Sequence, residues 1–234
     1  MDQDFHRLLI DMAAEVHEAP EQAVRHITEY ARTAVKGEDS GIMLAKAKGR
    51  VETFAGTSAP VEIAHDLQAE LDEGPCLDAI RTGASSYLVV KLPDARWPRW
   101  SLRARDLGYR STISARMETA GRRFGSLNVY DTREAAFTRA DLEVLELLAS
   151  HAAVAYANAE TNVNLRVALD SRNVIGQAQG VLMQVYDLDA ETAFAYLRRI
   201  SQTENVRLIE VAQELLRTRS LMGHPGLRPE SAGP

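Results

Sequence analysis

A single cysteine, Cys76, stands in this chain of 234 residues. No intrachain disulfide can form, and neither a CxxC nor an HExxH spacing exists to hold a metal. Long apolar runs are missing too. Runs such as Tyr87 to Val90 fall far short of the roughly 20 residues that a membrane-spanning helix needs. The opening residues MDQDFHRLL carry acids and lack a basic start and an unbroken apolar stretch, so no signal peptide is read and a cytoplasmic location is expected. Lysine is scarce: Lys36, Lys46, Lys48 and Lys91 are the only ones, and every other cation is arginine. The net charge of −6 argues against indiscriminate binding to nucleic acid. Arginine can nevertheless fork onto phosphate and stack on bases, which suits a focused site. No Ser/His/Asp constellation, paired carboxylates or phosphate-cradling glycine loop can be picked out. His17, His65 and His151 are scattered, so no catalytic group, metal or required cofactor is expected.

What is present is an ordinary core, with 45% hydrophobic residues. Residues 5–18 read as a helix with Leu8, Leu9, Met12 and Val16 on one stripe. A second helix starts at Pro20, with Ala23, Val24, Ile27, Tyr30, Ala31 and Ala34 as its apolar face. Ile42–Lys46 and Val51–Ala55 alternate around a turn at Gly49, as in a hairpin. Helices are expected over 60–71 and Cys76–Arg81, a strand over Tyr87–Leu92, and a loop and helix over 96–107. Two strands, Tyr109–Glu118 and Arg123–Tyr130, flank Gly121. This order predicts an antiparallel sheet flanked by helices, an α+β domain.

A second region opens at Thr138, whose hydroxyl with Asp141 makes a capping-box-like helix start. Leu142, Leu145, Ala149, Ala152, Tyr156, Ala159 and Val163 follow on alternating three- and four-residue steps. That spacing predicts a coiled-coil seam, and with it a parallel homodimer. The helix continues to about Gln184, on the order of 70 Å of rod. Asp189 can cap a further helix with Ala193, Phe194, Leu197 and Ile200 inward, and Asn205 can cap a third with Ile209, Ala212, Leu215 and Leu216 inward. With Ile175, Ala178 and Leu182 they close a three-helix unit. The tail from Gly223 has no apolar pattern and is expected to be disordered.

Ser171-Arg172-Asn173-Val174-Ile175-Gly176-Gln177-Ala178-Gln179-Gly180-Val181-Leu182-Met183, then Ala193–Gln202, then Asn205 and Arg207–Ala212, closely resemble the ANTAR domain over roughly 163–219. That family is a three-helix RNA-binding module of bacterial transcription antiterminators. The resemblance implies binding, as a dimer, to paired hairpins in leader transcripts, which keeps a terminator from forming and so acts on RNA polymerase indirectly. The residues expected to meet RNA are Arg172, Gln177, Gln179, Gly180, Met183, Arg198, Ser201, Gln202, Asn205 and Arg207. Glycines inside a helix cost about 1 kcal/mol each against alanine, so Gly176 and Gly180 imply that something approaches closely, either the second helix or an RNA loop. Over 160–219 seven arginines meet eight acids and no lysine, so recognition has to be local.

Glu73-Gly74-Pro75-Cys76-Leu77-Asp78-Ala79, Leu92-Pro93-Asp94-Ala95-Arg96-Trp97-Pro98-Arg99-Trp100 and Phe124-Gly125-Ser126-Leu127-Asn128-Val129-Tyr130 resemble a GAF sensory domain of the kind joined to ANTAR in actinobacteria. The expected organisation is therefore a helix over 1–19, an α+β GAF domain over 20–158, an all-α ANTAR domain over 159–220 and a tail over 221–234. The GAF resemblance names no ligand. Cys76, Trp97, Trp100 and Tyr109 are candidate pocket residues, or else plain core. Other readings stay open, in which the chain is a sensor or dimerisation scaffold whose helical head docks a protein or enters DNA.

Overall fold

The computed structural model of the chain describes residues 20–81 and 83–218; the helix expected over 5–18 and the tail from Gly223 lie outside them. The order is α1 (Pro20–Ala34), β1 (Asp39–Ala45), a 3-10 turn (Ala47–Gly49), β2 (Val51–Gly56), α2 (Ala59–Leu71), α3 (Pro75–Arg81), β3 (Ser86–Val89), α4 (Pro98–Asp106), β4 (Ser111–Thr119), β5 (Arg122–Asp131), α5 (Arg139–Tyr186), α6 (Ala190–Glu204) and α7 (Leu208–Thr218). The strands form one sheet in the order β2-β1-β5-β4-β3, with antiparallel neighbours throughout. β3 ends at Val89 rather than Leu92 because the Val90 carbonyl accepts from the Ala135 N–H at 2.6 Å instead of pairing with β4.

Alternation along the strands separates two cores. Ile42, Leu44, Ile113, Leu127 and Val129 face one way and meet Ala23, Val24, Ile27 and Ala31 of α1. Met43 and Tyr130 face the other way and meet Val61, Ala64, Cys76, Trp97 and Trp100. The start of α5 is fixed as its sequence implies. Thr138 N–H and hydroxyl both donate to Asp141 Oδ2, at 2.8 and 2.6 Å, and the Asp141 N–H returns to the hydroxyl at 3.3 Å.

The stripe expected to join two chains is an interior face of one. Leu142, Leu145, Ala149, Ala152 and Ala159 are all at most 5% exposed. The first four belong to the core beneath the sheet, and the half-buried Tyr156 sets its ring edge-on to Phe54 and Phe124. A side chain enclosed by its own sheet has no surface left for a partner. Only Val163 of the seven is open, at 48% exposure. The physical reason is that a helix lying on a sheet and a helix in a coiled coil need the same three-and-four spacing.

The chain divides into two compact units at Thr161/Asn162. In the second, Ala178 and Leu182 of α5, Ala193, Leu197 and Ile200 of α6, and Val211, Ala212 and Leu215 of α7 form a separate core. Phe194, expected inward, is 39% exposed. Asp189 caps α6 by accepting from the Thr192 N–H at 2.7 Å.

Candidate functional site

In the first unit the four candidate pocket residues share one buried cluster. Their polar atoms are engaged: Trp97 Nε1 donates to Asp78 at 2.8 Å, Trp100 Nε1 to the Ala64 carbonyl at 3.0 Å, and Tyr109 Oη to Asp39 at 2.8 Å. Cys76 Sγ lies 3.0 Å from Tyr130 Oη and accepts from Gln68 Nε2 at 2.9 Å. Burial pushes the Cys76 thiol and the Tyr130 phenol up, so both stay protonated.

Gln68 organises this interior. Its Oε1 accepts from the Cys76 and Leu77 N–H groups, at 2.9 and 3.3 Å, and so serves first-turn donors of α3 that have no partner within the helix. Gly74 makes room for it: a Cβ there would lie 2.1 Å from Gln68 Oε1, and its φ is +145°. Glu73 does the same service for α4, accepting from the Arg99 and Trp100 N–H groups at 2.9 and 3.2 Å. The Arg99 guanidinium on it holds its carboxyl below the usual range. The Glu73-Gly74-Pro75 motif thus seats two helices over the sheet.

The covered sheet face also carries polar residues that the sequence did not single out. Ser114, Ser126 and Asn128 are fully buried. Asn128 Nδ2 donates to the Gly41 carbonyl at 3.2 Å and faces His65 Nε2 at 3.4 Å. The same Nδ2 also donates to the Ser126 carbonyl at 3.1 Å, and His65 Nδ1 lies 3.3 Å from Thr53 Oγ1. Asn128 Oδ1 and Ser126 Oγ have no partner among the described residues. The signal was present in the alternation of β5, but alternation does not tell whether the polar side is covered.

Burial holds the His65 imidazole down to about 3, against about 6.5 in an unfolded chain. A base with a depressed folded pKa contributes stability above its unfolded pKa and loses it as the pH falls. Between pH 6 and 5, before the lowered carboxylates of Glu73, Asp94 and Asp131 enter, unfolding free energy is expected to drop by about 1.4 kcal/mol per pH unit. Urea titrations across that window check this; the slope should vanish in His65→Gln, and an equal slope in both proteins rules out His65 as its source.

The helical unit sorts the expected RNA-facing residues into two groups. Some are used locally. Gln179 Nε2 donates to the Ala190 carbonyl at 2.5 Å, Gln177 Nε2 to Asn173 at 3.4 Å, and Ser201 Oγ to the Val206 carbonyl at 2.7 Å. Arg207 Nε donates to Glu210 at 2.7 Å. Asn205 ends α6 in the left-handed region, φ 52°, rather than starting α7; the Glu210 carboxylate receives the Arg207 N–H at that start, at 3.3 Å. Others are free. Arg172, Arg198 and Gln202 are exposed with no side-chain bond or ion pair among the described residues. Met183 is 36% exposed. A Cβ on Gly176 or Gly180 would meet nothing within 4 Å, so no helix among the described residues explains the two glycines.

The free groups fall on two lines. Arg172, Gly176, Gly180 and Met183 follow one another by four, four and three residues along α5. Phe194, Arg198 and Gln202 follow by four and four along α6, all exposed, and Asn205, also exposed, caps its end. Residues so spaced share a helix face. The Gln179–Ala190 bond ties the two helices where these lines begin on α6. Among the described residues no side-chain group could hold a metal ion and no helix is long and apolar enough to cross a membrane.

A sheet covered on both faces is followed by a separate three-helix unit. The GAF domain family matches residues 17–157 and the ANTAR domain family residues 163–216. The chain belongs to the GAF domain family and carries an ANTAR domain behind it, the make-up of a sensor-regulated antitermination regulator. No curated protein matches the sequence. Among solved structures it is similar to a bacteriophytochrome from the photosynthetic bacterium R. palustris (TM-score 0.60, 11% identity, 83% of this chain and 44% of that one). It is also similar to the phycoerythrobilin-bound GAF domain of a cyanobacterial phytochrome (0.55, 13%, 69% and 98%). A third is the free methionine-R-sulfoxide reductase from Neisseria meningitidis, solved with its substrate (0.51, 15%, 66% and 89%). At such identities the likeness is one of fold.

Proposed function

We propose that the chain is a homodimeric RNA-binding antitermination regulator, which senses a signal through its GAF domain and binds paired hairpins in leader transcripts. The observation that carries the reading is the exposed polar pair Arg198 and Gln202 on α6 of an ANTAR domain, with Asn205 just past the helix end. A guanidinium and an amide one turn apart, neither bonded within the fold, suit the edges and phosphates of a splayed RNA loop.

The dimer seam lies on the face of α5 opposite to the one the sheet covers. Leu147, His151, Val154, Asn158, Thr161 and Leu165 alternate by four and three residues. Leu147, Val154 and Leu165 are 42, 47 and 57% exposed, and every residue from Thr161 to Asp170 is open. In heptad terms Asn158 takes a core position, where a polar residue fixes the register of a two-stranded coil. Two parallel chains then present two heads to two hairpins.

A gel-shift titration with a tandem-hairpin leader RNA tests the reading. The intact RNA should bind far better than a loop-scrambled one, and Arg198→Ala should weaken it roughly 10- to 100-fold, the scale of a lost charge-assisted bond. Equal affinity for both RNAs would reject the proposal and favour a protein-docking head.

A further inference from the structure

We propose that Phe194 is a stacking platform for one splayed base of the RNA loop, a specificity element that rests on the RNA-binding reading above. The inward face of α6 is complete without it: Ala193, Leu197 and Ile200 are at most 4% exposed. Phe194 stands beside that face at 39% exposure, the only aromatic ring among the exposed large apolar side chains of the described residues. Its neighbour Tyr196 is different, since the Arg199 guanidinium lies over that ring, 5.0 Å from its centroid. Phe194 has no ring or cation contact among the described residues. Phe194 is the poorer helix former beside a leucine or an alanine, and its open part needs no partner to complete the core of this unit.

The surroundings select the occupant. One turn on stands the free guanidinium of Arg198, then the amides of Gln202 and Asn205. A docked protein helix would want further apolar side chains along this line, and there are none. A nucleotide wants what is there: a π-face for its base and a cation for its phosphate. Phe194 and Arg198 are about 6 Å apart along the helix axis, a spacing that one nucleotide can bridge. Stacking accepts any base, because every base has a π-face. Selection among bases is then left to the two amides.

The test uses the full chain and a tandem-hairpin RNA carrying 2-aminopurine at each loop position in turn. Wild type should quench one position strongly on binding. Phe194→Leu, which keeps the apolar bulk, should lose that quench and bind roughly 5- to 150-fold more weakly. Phe194→Trp should keep both. Phe194→Leu should melt and sediment like wild type, since it changes no core contact. Unchanged affinity and quench in Phe194→Leu would overturn the platform while leaving RNA binding intact. A changed oligomeric mass at unchanged RNA affinity would overturn it in favour of a protein contact. No binding by wild type itself would remove both the platform and the reading beneath it.

Discussion

Gly74→Ala is expected to destabilise the sensory unit by about 4 kcal/mol or more, enough to unfold a marginally stable domain. Three costs add. The residue has φ +145°, a region that side chains adopt only at about 1–3 kcal/mol. The new Cβ would sit 2.1 Å from Gln68 Oε1 and 2.3 Å from Gln68 Cδ and Cγ. Gln68 is fully buried and cannot swing away without stripping the acceptor from the Cys76 and Leu77 N–H groups, at roughly 1–3 kcal/mol each. Chemical denaturation followed by near-UV dichroism measures the change. A double-mutant cycle locates it: Gly74→Ala should cost much less in a Gln68→Ala background, because the clash has gone. A midpoint within about 1 kcal/mol of wild type would show that the loop relaxes freely.

The two faces of α5 should respond in opposite ways. Leu145→Ala is expected to cost about 2–5 kcal/mol, since it opens a cavity in the core under the sheet, where Leu145 is fully buried. Its oligomeric mass at low temperature should stay that of the wild type. Val154→Asp, on the opposite face at 47% exposure, should leave the near-UV spectrum intact and halve the mass seen by sedimentation, because a carboxylate cannot be buried unpaired in a seam. The reverse pattern, dissociation by Leu145→Ala and none by Val154→Asp, would return the seam to the inner stripe.

Much of this was legible in the sequence. The inner stripe of α1, the β1–β2 and β4–β5 hairpins and the Thr138/Asp141 cap follow from local periodicity and turn chemistry. The direction of the α5 stripe does not, because the repeat is blind to whether a sheet or a second helix lies against it. Phe194 was misplaced for a related reason. It adjoins Ala193 in the pattern, and how wide an arc of α6 is covered depends on how α7 packs. Gln68 escaped notice because its partners lie eight and nine residues on, across a reversal that depends on a glycine. Arg207 looked like an RNA contact by its charge, yet its nearest anion, Glu210, is three residues away, and the two pair at the start of α7.

The most direct measurement is a single-round transcription assay on a template whose leader encodes two hairpins followed by a terminator. Added protein should raise the fraction of full-length transcript. Scrambling both loops or using the Arg198→Ala protein should abolish the effect, and Val154→Asp should weaken it, because one head cannot hold two hairpins together. If termination is the same with and without wild-type protein on an intact leader that the protein demonstrably binds, the chain binds RNA but does not act by antitermination.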